Sequence, residues 1–466
     1  MDLLQTWVDT AQNFLWTYVN IVLLVGCAVY FTVRTGFIQF RLLGEMFRMM
    51  VRSERQDEAG YKHISSFQAF VVALASRIGT GNMAGVATAI SVGGPGSIFW
   101  MWVMALFGSA TAYVESTLAQ LYKRRGPTAF FGGPAYYMKF GLGRPGMGVL
   151  FSILIILTFG FTNNAAQSNT IALACDQAFH IPVAWMGAVL TLLALGVVFG
   201  GIHRIARVSA AVVPFMAVLY LVMAVVIIVM RIHMIPTVFK MILENAFGVG
   251  QFAGGALGTI VMMGVKRGLF SNEAGEGSAP NAAATASVSH PVKQGLIQAL
   301  GVYTDTLLVC SCTAFIILCS GVDITASNGI QLTQDAMQAE IGALGNPFVA
   351  VTIWLFAFST IIANCYYGEA NLLYFTKSKV ALCTYRFLSC GCVMMGALMS
   401  LELTWSLIDL CMALITICNL TAILWLYPKV HTLTKDYLAQ RRARKDPVFR
   451  RSQMPEIAEQ LEAWED

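Results

Sequence analysis

The chain has 466 residues, of which 57% are hydrophobic and only 12% are charged, and its formal net charge is +5. Soluble domains carry roughly 25% charged residues, so this composition excludes an ordinary water-soluble domain and favours lipid as the solvent. The eleven cysteines lie almost wholly in apolar runs without metal-ligand spacing, which favours small buried side chains over a metal site. We therefore expect an integral, polytopic membrane protein.

Hydropathy and helix-breaking residues predict an all-α protein with eleven transmembrane helices. In chain order the predicted helices cover 14–33, 66–91, 96–121, 148–174, 182–200, 208–231, 250–289, 295–320, 347–373, 379–401 and 404–427. Each run approaches or exceeds the roughly 20 apolar residues that cross the hydrocarbon core.

The basic residues predict how these helices are oriented. With the N-terminus outside, the inward-facing segments hold 25 Lys and Arg residues, whereas the outward-facing segments hold only Arg231 and Lys240. This asymmetry predicts an outside N-terminus and a cytoplasmic C-terminus in a bacterial inner membrane. The basic tail, 428–466, could suggest nucleic-acid binding, but an orientation signal that contacts anionic lipid headgroups is the simpler interpretation.

Two predicted helices contain glycine-rich, polar stretches near their middle. The second helix contains ASRIGTGNMAGVATA (75–89) and the seventh contains GLFSNEAGEGSAP (268–280). Paired interrupted helices at matching positions of inverted halves are the best sequence indication of a transporter's binding site. Kinks that serve helix packing are the alternative, but they would not explain the acidic and amide side chains.

The spacing of these breaks predicts an internal repeat. The breaks lie about 194 residues apart, and the ends of helices six and eleven lie 196 apart. We therefore divide the chain into an N-terminal helix with a cytoplasmic loop, two five-helix units and a tail, at 1–65, 66–231, 250–427 and 428–466. Because five is an odd number, the second unit is predicted to be inverted relative to the first.

The motifs around both breaks resemble those of the sodium:alanine symporter family, also called alanine or glycine:cation symporters. The similar stretches are GTGNMAGVATAI (79–90), GGPGSIFWMWVMALFG (93–108), GGPAYYM (132–138) and RGLFSNEAGEGSAP (267–280), and the resemblance covers nearly the whole chain. It implies a LeuT-like fold, with a 5+5 inverted repeat of helices two to six and seven to eleven and two discontinuous helices. It also implies a secondary active symporter that imports small neutral amino acids with sodium as the coupling ion, and no organic cofactor.

An amino-acid substrate needs donors for its carboxylate and acceptors for its ammonium group. Free amides at the first break suit the carboxylate, and oxygens freed at the second break suit the ammonium group. The resemblance places Gln167 in the pocket, although an amide that joins two helices is the alternative. The predicted substrate-binding residues are Thr80, Gly81, Asn82, Gln167, Phe270, Ser271, Asn272, Gly275 and Thr360, with Phe270 as the apolar wall.

Adjacent hydroxyl residues in FAFSTIIAN (356–364) suggest where sodium binds. The resemblance to LeuT-type transporters implies a sodium ion between helix nine and the first broken helix. Its implied ligands are the side chains of Ser359 and Thr360 and the carbonyls of Ala75, Ile78 and Phe356. Hydroxyls that bond back to their own helix are the alternative.

Three charges near the breaks depart from the family pattern or need an explanation: Arg77, Glu273 and Glu276. Charges inside a membrane usually face a cavity or a partner, so we hypothesise that Arg77 pairs with Glu273 or Glu276. Glu273 has the simpler role of complementing a helix N-terminus.

The alternatives to sodium symport are a proton-coupled transporter, with Glu273 or Glu276 as the relay, and an amino-acid sensor without transport. Arrangements typical of catalytic sites are lacking, so an enzyme is not expected. The predicted partners are a small amino acid and membrane lipid, with no nucleic acid.

Overall fold

The computed structural model describes residues 2–51, 64–126, 129–247 and 257–465, and these residues are almost entirely helical. The α-helices are α1 (Asp2–Phe14), α2 (Ile21–Arg34), α3 (Ile38–Arg41), α4 (Leu43–Val51), α5 (Ser66–Arg77), α6 (Val86–Gly93), α7 (Gly96–Leu121), α8 (Pro134–Tyr136), α9 (Pro145–Ile155), α10 (Asn163–Phe179), α11 (Val183–Val198), α12 (Gly201–Met230), α13 (Ile235–Phe247), α14 (Leu257–Asn272), α15 (Ala279–Ala283), α16 (Pro291–Val302), α17 (Ser311–Ser320), α18 (Ile330–Ile341), α19 (Gly345–Leu372), α20 (Lys379–Leu398) and α21 (Leu401–Arg442).

Wider π-helical turns join several of these helices into longer rods. They cover Leu15–Asn20, Gly81–Gly85, Tyr137–Gly141, Ile156–Thr162 and Tyr303–Cys310. Short 3₁₀ turns occur at Ile232–Met234, Gly342–Leu344, Arg451–Gln453 and Pro455–Gln460. The two strands in the described residues, β1 (Arg124–Arg125) and β2 (Phe130–Phe131), form one small antiparallel pair.

Eight helical rods in the described residues are long and apolar enough to cross a membrane, so the chain is a multi-pass membrane protein. They are Gln5–Arg34, Gly96–Leu121, Pro145–Phe179, Gly201–Met230, Pro291–Ser320, Ile330–Leu372, Lys379–Leu398 and Leu401–Arg442. A ninth crossing is made if the bent pair Ser66–Arg77 and Gly81–Gly93 counts as one span.

This number differs from the eleven spans that the sequence predicts. The predicted helix 182–200 is the 16-residue helix α11, which is apolar but short. The predicted helix 250–289 begins outside the described residues, which resume at 257, and α14 ends at Asn272 because the following residues leave the helical conformation.

Both predicted breaks are real interruptions of the helical backbone. At the first break, α5 begins with a capping box between Ser65 and Gln68 and ends before Ile78, whose ψ of 88° is not helical. The rod that resumes after this break is bent by 49° relative to α5. At the second break, three residues have positive φ, namely Glu273 (57°), Gly275 (103°) and Gly277 (80°). A right-handed helix cannot pass through such residues, so α14 ends there.

The core forms around α7, which packs against α2, α14 and α16, while α10 packs against α19 and α20. This packing encloses both breaks, whose residues from Ile78 to Asn82 and from Phe270 to Gly277 are all buried. The protein interior therefore supplies the partners for backbone groups that the interrupted helices release, as membrane depth requires.

The end of the chain packs on the protein. Residues 447–465, which we call the tail segment, bury Leu461 and Trp464. The Trp464 indole donates to the carbonyls of Gln120 (3.2 Å) and Leu121 (3.1 Å) at the end of α7, and its ring covers the Lys123 ammonium at 4.5 Å. The tail predicted at 428–466 is thus divided: its first part continues α21 to Arg442, and its last part forms a protein contact.

We predict that Trp464→Ala releases the tail segment. Truncating a buried tryptophan removes about 3–5 kcal/mol of packing in a typical core, so the tail segment should dock much less tightly. Trypsin should then cleave after Arg450 or Arg451 at least about tenfold faster, because the segment is released more often. Mass spectrometry of the folded protein measures this cleavage. Trp185→Ala is the matched control because Trp185 is 71% exposed. Equal cleavage of both variants would contradict the docking.

Candidate functional site

The two breaks contact each other in the middle of the protein. A Cβ added to Gly81 would lie 2.9 Å from the Ser271 Cα and 3.2 Å from the Phe270 ring. Only glycine permits this approach, because a Cβ contact under 3.0 Å forces the backbone of one break away from the other. The structure therefore brings together Gly81, Phe270 and Ser271, which the sequence predicts to line one pocket.

A buried carboxylate, Asp305, joins the two breaks. Its Oδ1 accepts from the Asn82 amide at 2.6 Å, and its Oδ2 accepts from the Ser271 hydroxyl at 2.8 Å and from the Thr306 hydroxyl at 2.8 Å. The Thr306 hydroxyl also accepts from the Asn272 amide at 3.1 Å. Asp305 thus lies at the centre of the polar residues predicted for substrate binding.

Asp305 is not among the site residues predicted from the sequence, although the sequence carries a signal for it. The residue stands alone in the apolar run VYTDTLLV of the predicted eighth helix. An ionisable side chain inside a membrane helix is expensive and marks a functional site by default. That rule, applied to every predicted helix, would have found it.

Side-chain oxygens cap the amides at the first break. The Thr80 amide donates to Gln167 Oε1 at 3.0 Å, and the Gly79 amide donates to Asn82 Oδ1 at 2.9 Å. The Gln167 amide group in turn donates to Asn163 Oδ1 at 2.7 Å. Gln167 therefore contacts the break itself. A bound carboxylate could accept a hydrogen bond from the same Thr80 amide.

Phe270 forms an apolar wall beside these polar groups. Its ring centroid lies 4.9 Å from that of Trp405, and only 5% of Phe270 is exposed. The two aromatic rings pack on each other next to the contact of the two breaks.

The residues implied as sodium ligands converge on one hydroxyl. Thr360 Oγ1 lies 2.8 Å from the Ala75 carbonyl oxygen, 3.3 Å from that of Ile78 and 3.1 Å from that of Phe356. Carbonyl and hydroxyl oxygens of unwound helices are the ligands that transporters offer to sodium. Three carbonyls and one hydroxyl therefore fit this ion.

Ser359 is placed differently from its neighbour. Its hydroxyl donates to the Phe356 carbonyl at 2.8 Å and contacts the sulfur of Met216 at 3.7 Å. The Ser359 side chain thus bonds back to its own helix, and its contacts include neither Ala75 nor Ile78.

A second missed carboxylate, Glu115 of α7, holds the second break. Its Oε1 accepts from the Gly275 amide at 3.3 Å, and its Oε2 accepts from the Gly277 amide at 3.2 Å and the Asn419 side chain at 2.7 Å. The Gly275 carbonyl also accepts from Asn419, at 2.9 Å. Both polar groups of Gly275, predicted to contact substrate, are therefore engaged by the protein.

Glu273 links the second break to the first. Its Oε1 accepts from the Ser76 hydroxyl at 2.6 Å, and its Oε2 accepts from Ser278 at 2.5 Å. Ser76 belongs to the last turn of α5, so this carboxylate does more than complement the end of one helix.

The hypothesised ion pair of Arg77 is not formed within the described residues. The Arg77 guanidinium donates to the Gln298 carbonyl at 3.0 Å, while its Nε and Nη2 atoms lack hydrogen-bond partners there. The Glu273 carboxylate is held by its hydrogen bonds to Ser76 and Ser278. The Arg77 guanidinium instead fills the space beside Gly301, where a Cβ added to that glycine would lie 2.2 Å from Nη1.

Glu276 remains the most unusual residue of the site. It is 1% exposed, and its Oε1 has no hydrogen-bond partner in the part of the chain that the structure describes. Buried polar atoms normally find partners, so this oxygen marks a position where a proton or a water molecule would be stabilised.

We predict that Glu115→Gln destabilises the protein. The glutamine retains the shape of glutamate, but its amide group would point a donor at one of the glycine N–H groups. Leaving a buried donor unsatisfied costs about 1–3 kcal/mol. The melting temperature in detergent should fall measurably, by less per kcal/mol than the about 2–4 °C expected of a domain of 150–250 residues. Glu402→Gln, at an exposed position, is the control, and equal melting of the two variants would contradict this role.

Comparison with known proteins places the chain among transporters. A family model described as the sodium:alanine symporter family matches residues 1–451. The probable sodium/glutamine symporter GlnT of Bacillus subtilis (strain 168) is 48% identical over 96% of this chain and 94% of its own length. The sodium/alanine symporter AgcS of Methanococcus maripaludis is 38% identical over 92% and 96%.

Other similarities extend this result. The amino-acid carrier protein AlsT of Bacillus subtilis (strain 168) is 46% identical over 98% of this chain and 97% of its own. A solved structure of a mutant manganese transporter from Eremococcus coleocola superposes with a TM-score of 0.50 and 12% identity, covering 88% of this chain and 87% of that one. At such low identity the likeness concerns the fold alone.

Proposed function

The chain belongs to the sodium:alanine symporter family, and we propose that within this family it imports small neutral amino acids of the alanine and glycine class. Membership makes it a sodium-coupled amino-acid symporter of the membrane and not an enzyme. The observation that carries the proposal on substrate class is the contact of the two breaks, where polar groups lie beside the packed rings of Phe270 and Trp405.

Recognition of the substrate follows from the chemistry of this contact. In our proposal the carboxylate takes the place of Gln167 Oε1 at the Thr80 amide, where the freed N–H groups of a helix start favour an anion. The ammonium group approaches Asp305, whose hydrogen bonds to Asn82 and Ser271 place a negative charge at both breaks. A zwitterion thereby meets a complementary charge at each end.

Sodium is proposed to bind at Thr360 with the carbonyls of Ala75, Ile78 and Phe356. The ion would connect α19 to the Ile78 carbonyl at the first break. Two residues later in the chain, the Thr80 amide, which donates to Gln167 in the structure, would bind the substrate. Sodium would then stabilise the break in the conformation that binds the amino acid, and each ligand would raise the affinity of the other.

We further propose the LeuT-like architecture with two inverted five-helix units, 66–231 and 250–427, within eleven spans. Interruptions in one helix of each unit support it, as does the fold likeness to a solved transporter. The distribution of basic residues supports an outside N-terminus and a cytoplasmic C-terminus in a bacterial inner membrane.

Proton coupling is the second candidate because of Glu276. A fully buried carboxyl oxygen without a hydrogen-bond partner among the described residues is suited to carry a proton. A proton bound here during each cycle would replace or accompany sodium.

Uptake into proteoliposomes distinguishes the two coupling ions. We expect labelled alanine or glycine to accumulate under an imposed sodium gradient and not under a proton gradient alone.

Thr360→Val removes the central oxygen of the proposed sodium site at nearly constant volume. Half-maximal uptake should therefore need at least tenfold more sodium, which corresponds to about 1.4 kcal/mol. Ser359→Ala is the matched control and should shift this sodium concentration less than threefold, a roughly 0.6 kcal/mol effect.

Several outcomes would contradict the proposal. Accumulation driven by protons in sodium-free buffer would favour the Glu276 relay, and Glu276→Gln should then abolish it. Saturable uptake of glutamine in strong preference to alanine would reject the small-substrate class, because Phe270 and Trp405 would not limit side-chain size.

We predict that Asp305→Asn abolishes amino-acid binding but leaves sodium binding intact. Removing one charge of a buried pair costs about 2–5 kcal/mol, which corresponds to a loss of affinity of at least about 30-fold. Binding is measured as the shift of melting temperature on addition of amino acid, and separately on addition of sodium. Asp323→Asn, in an exposed loop, is the charge-matched control. Retained amino-acid binding in Asp305→Asn would remove this residue from the site.

A further inference from the structure

A strongly basic pocket, lined by none of the substrate-site residues, lies between α4, the start of α16 and the end of α21. Its volume is about 630 Å³, within the range of sites for small ligands. Five basic side chains line it, namely Arg48, Lys293, Arg441, Arg444 and Lys445. With two acidic residues, Glu45 and Asp446, also in the lining, the pocket carries a formal charge of +3.

The acidic residues do not neutralise this pocket. Glu45 pairs with both Arg48 and Arg441, and Asp446 pairs with Lys293 at 2.8 Å. Arg444 and Lys445 form no ion pair with the described residues, and both are exposed. A pocket with excess positive charge attracts an anion, and arginine is especially suited to phosphate oxygens.

The backbone at the end of α21 places these two cations at the pocket. Arg444 has a left-handed φ of 55°, which costs energy for a residue with a side chain. The Lys445 amide donates to the Gln440 carbonyl at 3.0 Å, so the chain turns back over the last turn of the helix. The turn brings Asp446 and Pro447 into the pocket wall as well.

The neighbouring surface is apolar. Phe37 (47%), Phe40 (40%), Leu43 (38%) and Phe47 (50%) are exposed next to or on α4. Leu43 and Phe47 lie four residues apart on one face of this helix, while Glu45 and Arg48 face the pocket. A helix with one apolar and one charged face is suited to the membrane interface, which would set the pocket at the level of lipid headgroups.

We propose that this pocket binds the phosphate headgroup of an anionic phospholipid, with its acyl chains against the exposed aromatic side chains of Phe40 and Phe47. A lipid fits better than a soluble phosphate because charge and apolar surface adjoin at one site. The lipid would join α4, α16 and α21, which come from distant parts of the chain. This site is independent of the amino-acid and sodium sites.

The test compares lipid retention by the full-length chain. Native mass spectrometry of purified protein is performed with phosphatidylglycerol or phosphatidylcholine added in equal amounts. The unmodified chain should retain phosphatidylglycerol in at least about fivefold excess, and Arg444→Gln/Lys445→Gln should lower its affinity for this lipid about tenfold. Neither replaced residue has an acidic partner among the described residues, so folding should be unaffected, and an unchanged melting temperature without lipid verifies this.

The control variant is Lys435→Gln/Arg442→Gln, which removes two charges from exposed positions of the same helix outside the pocket. It should retain phosphatidylglycerol as the unmodified chain does. Equal losses in the two variants would mean that diffuse surface charge, and not the pocket, attracts lipid. Displacement of phosphatidylglycerol by inorganic phosphate at equal concentration would assign the pocket to a soluble anion and overturn the lipid proposal.

Discussion

An interrupted helix inside a membrane must find a protein partner for every backbone group that it releases, and here one carboxylate meets much of that demand. Glu115 accepts from the amides of Gly275 and Gly277 and from Asn419, so α7 and α21 together hold the second break open. These hydrogen bonds offset the conformational energy cost of the positive φ angles at the break. The position of Phe270 and Ser271 against Gly81 depends on this arrangement.

The first break offers opposite polarities to its two sides within six residues, from Ala75 to Thr80. The carbonyls of Ala75 and Ile78 point to Thr360, whereas the amide of Thr80 points to Gln167. Carbonyl oxygens suit a cation, and amide hydrogens suit a carboxylate. A single unwound segment can therefore couple an ion to an amino acid, because a shift of its backbone changes both sets of groups together.

The sequence indicates both breaks but does not reveal the partners of several charges beside them. Arg77 was hypothesised to face Glu273 or Glu276, yet its guanidinium extends to the carbonyl of Gln298. Asp305 and Glu115 are single acids in long apolar helices, with no motif to mark them. Their roles depend on residues 223 and 160 positions away, respectively, that the fold brings to them.

The sequence by itself determined the membrane class, the helical character and the positions of both breaks, because hydropathy, glycine and polar residues act locally on the chain. The tertiary structure decided which side chains satisfy the breaks, that the tail segment packs on α7, and that basic residues from three helices enclose one pocket. Hydrogen bonds and ion pairs require atoms within a few ångströms, and only the packing of distant helices sets those distances.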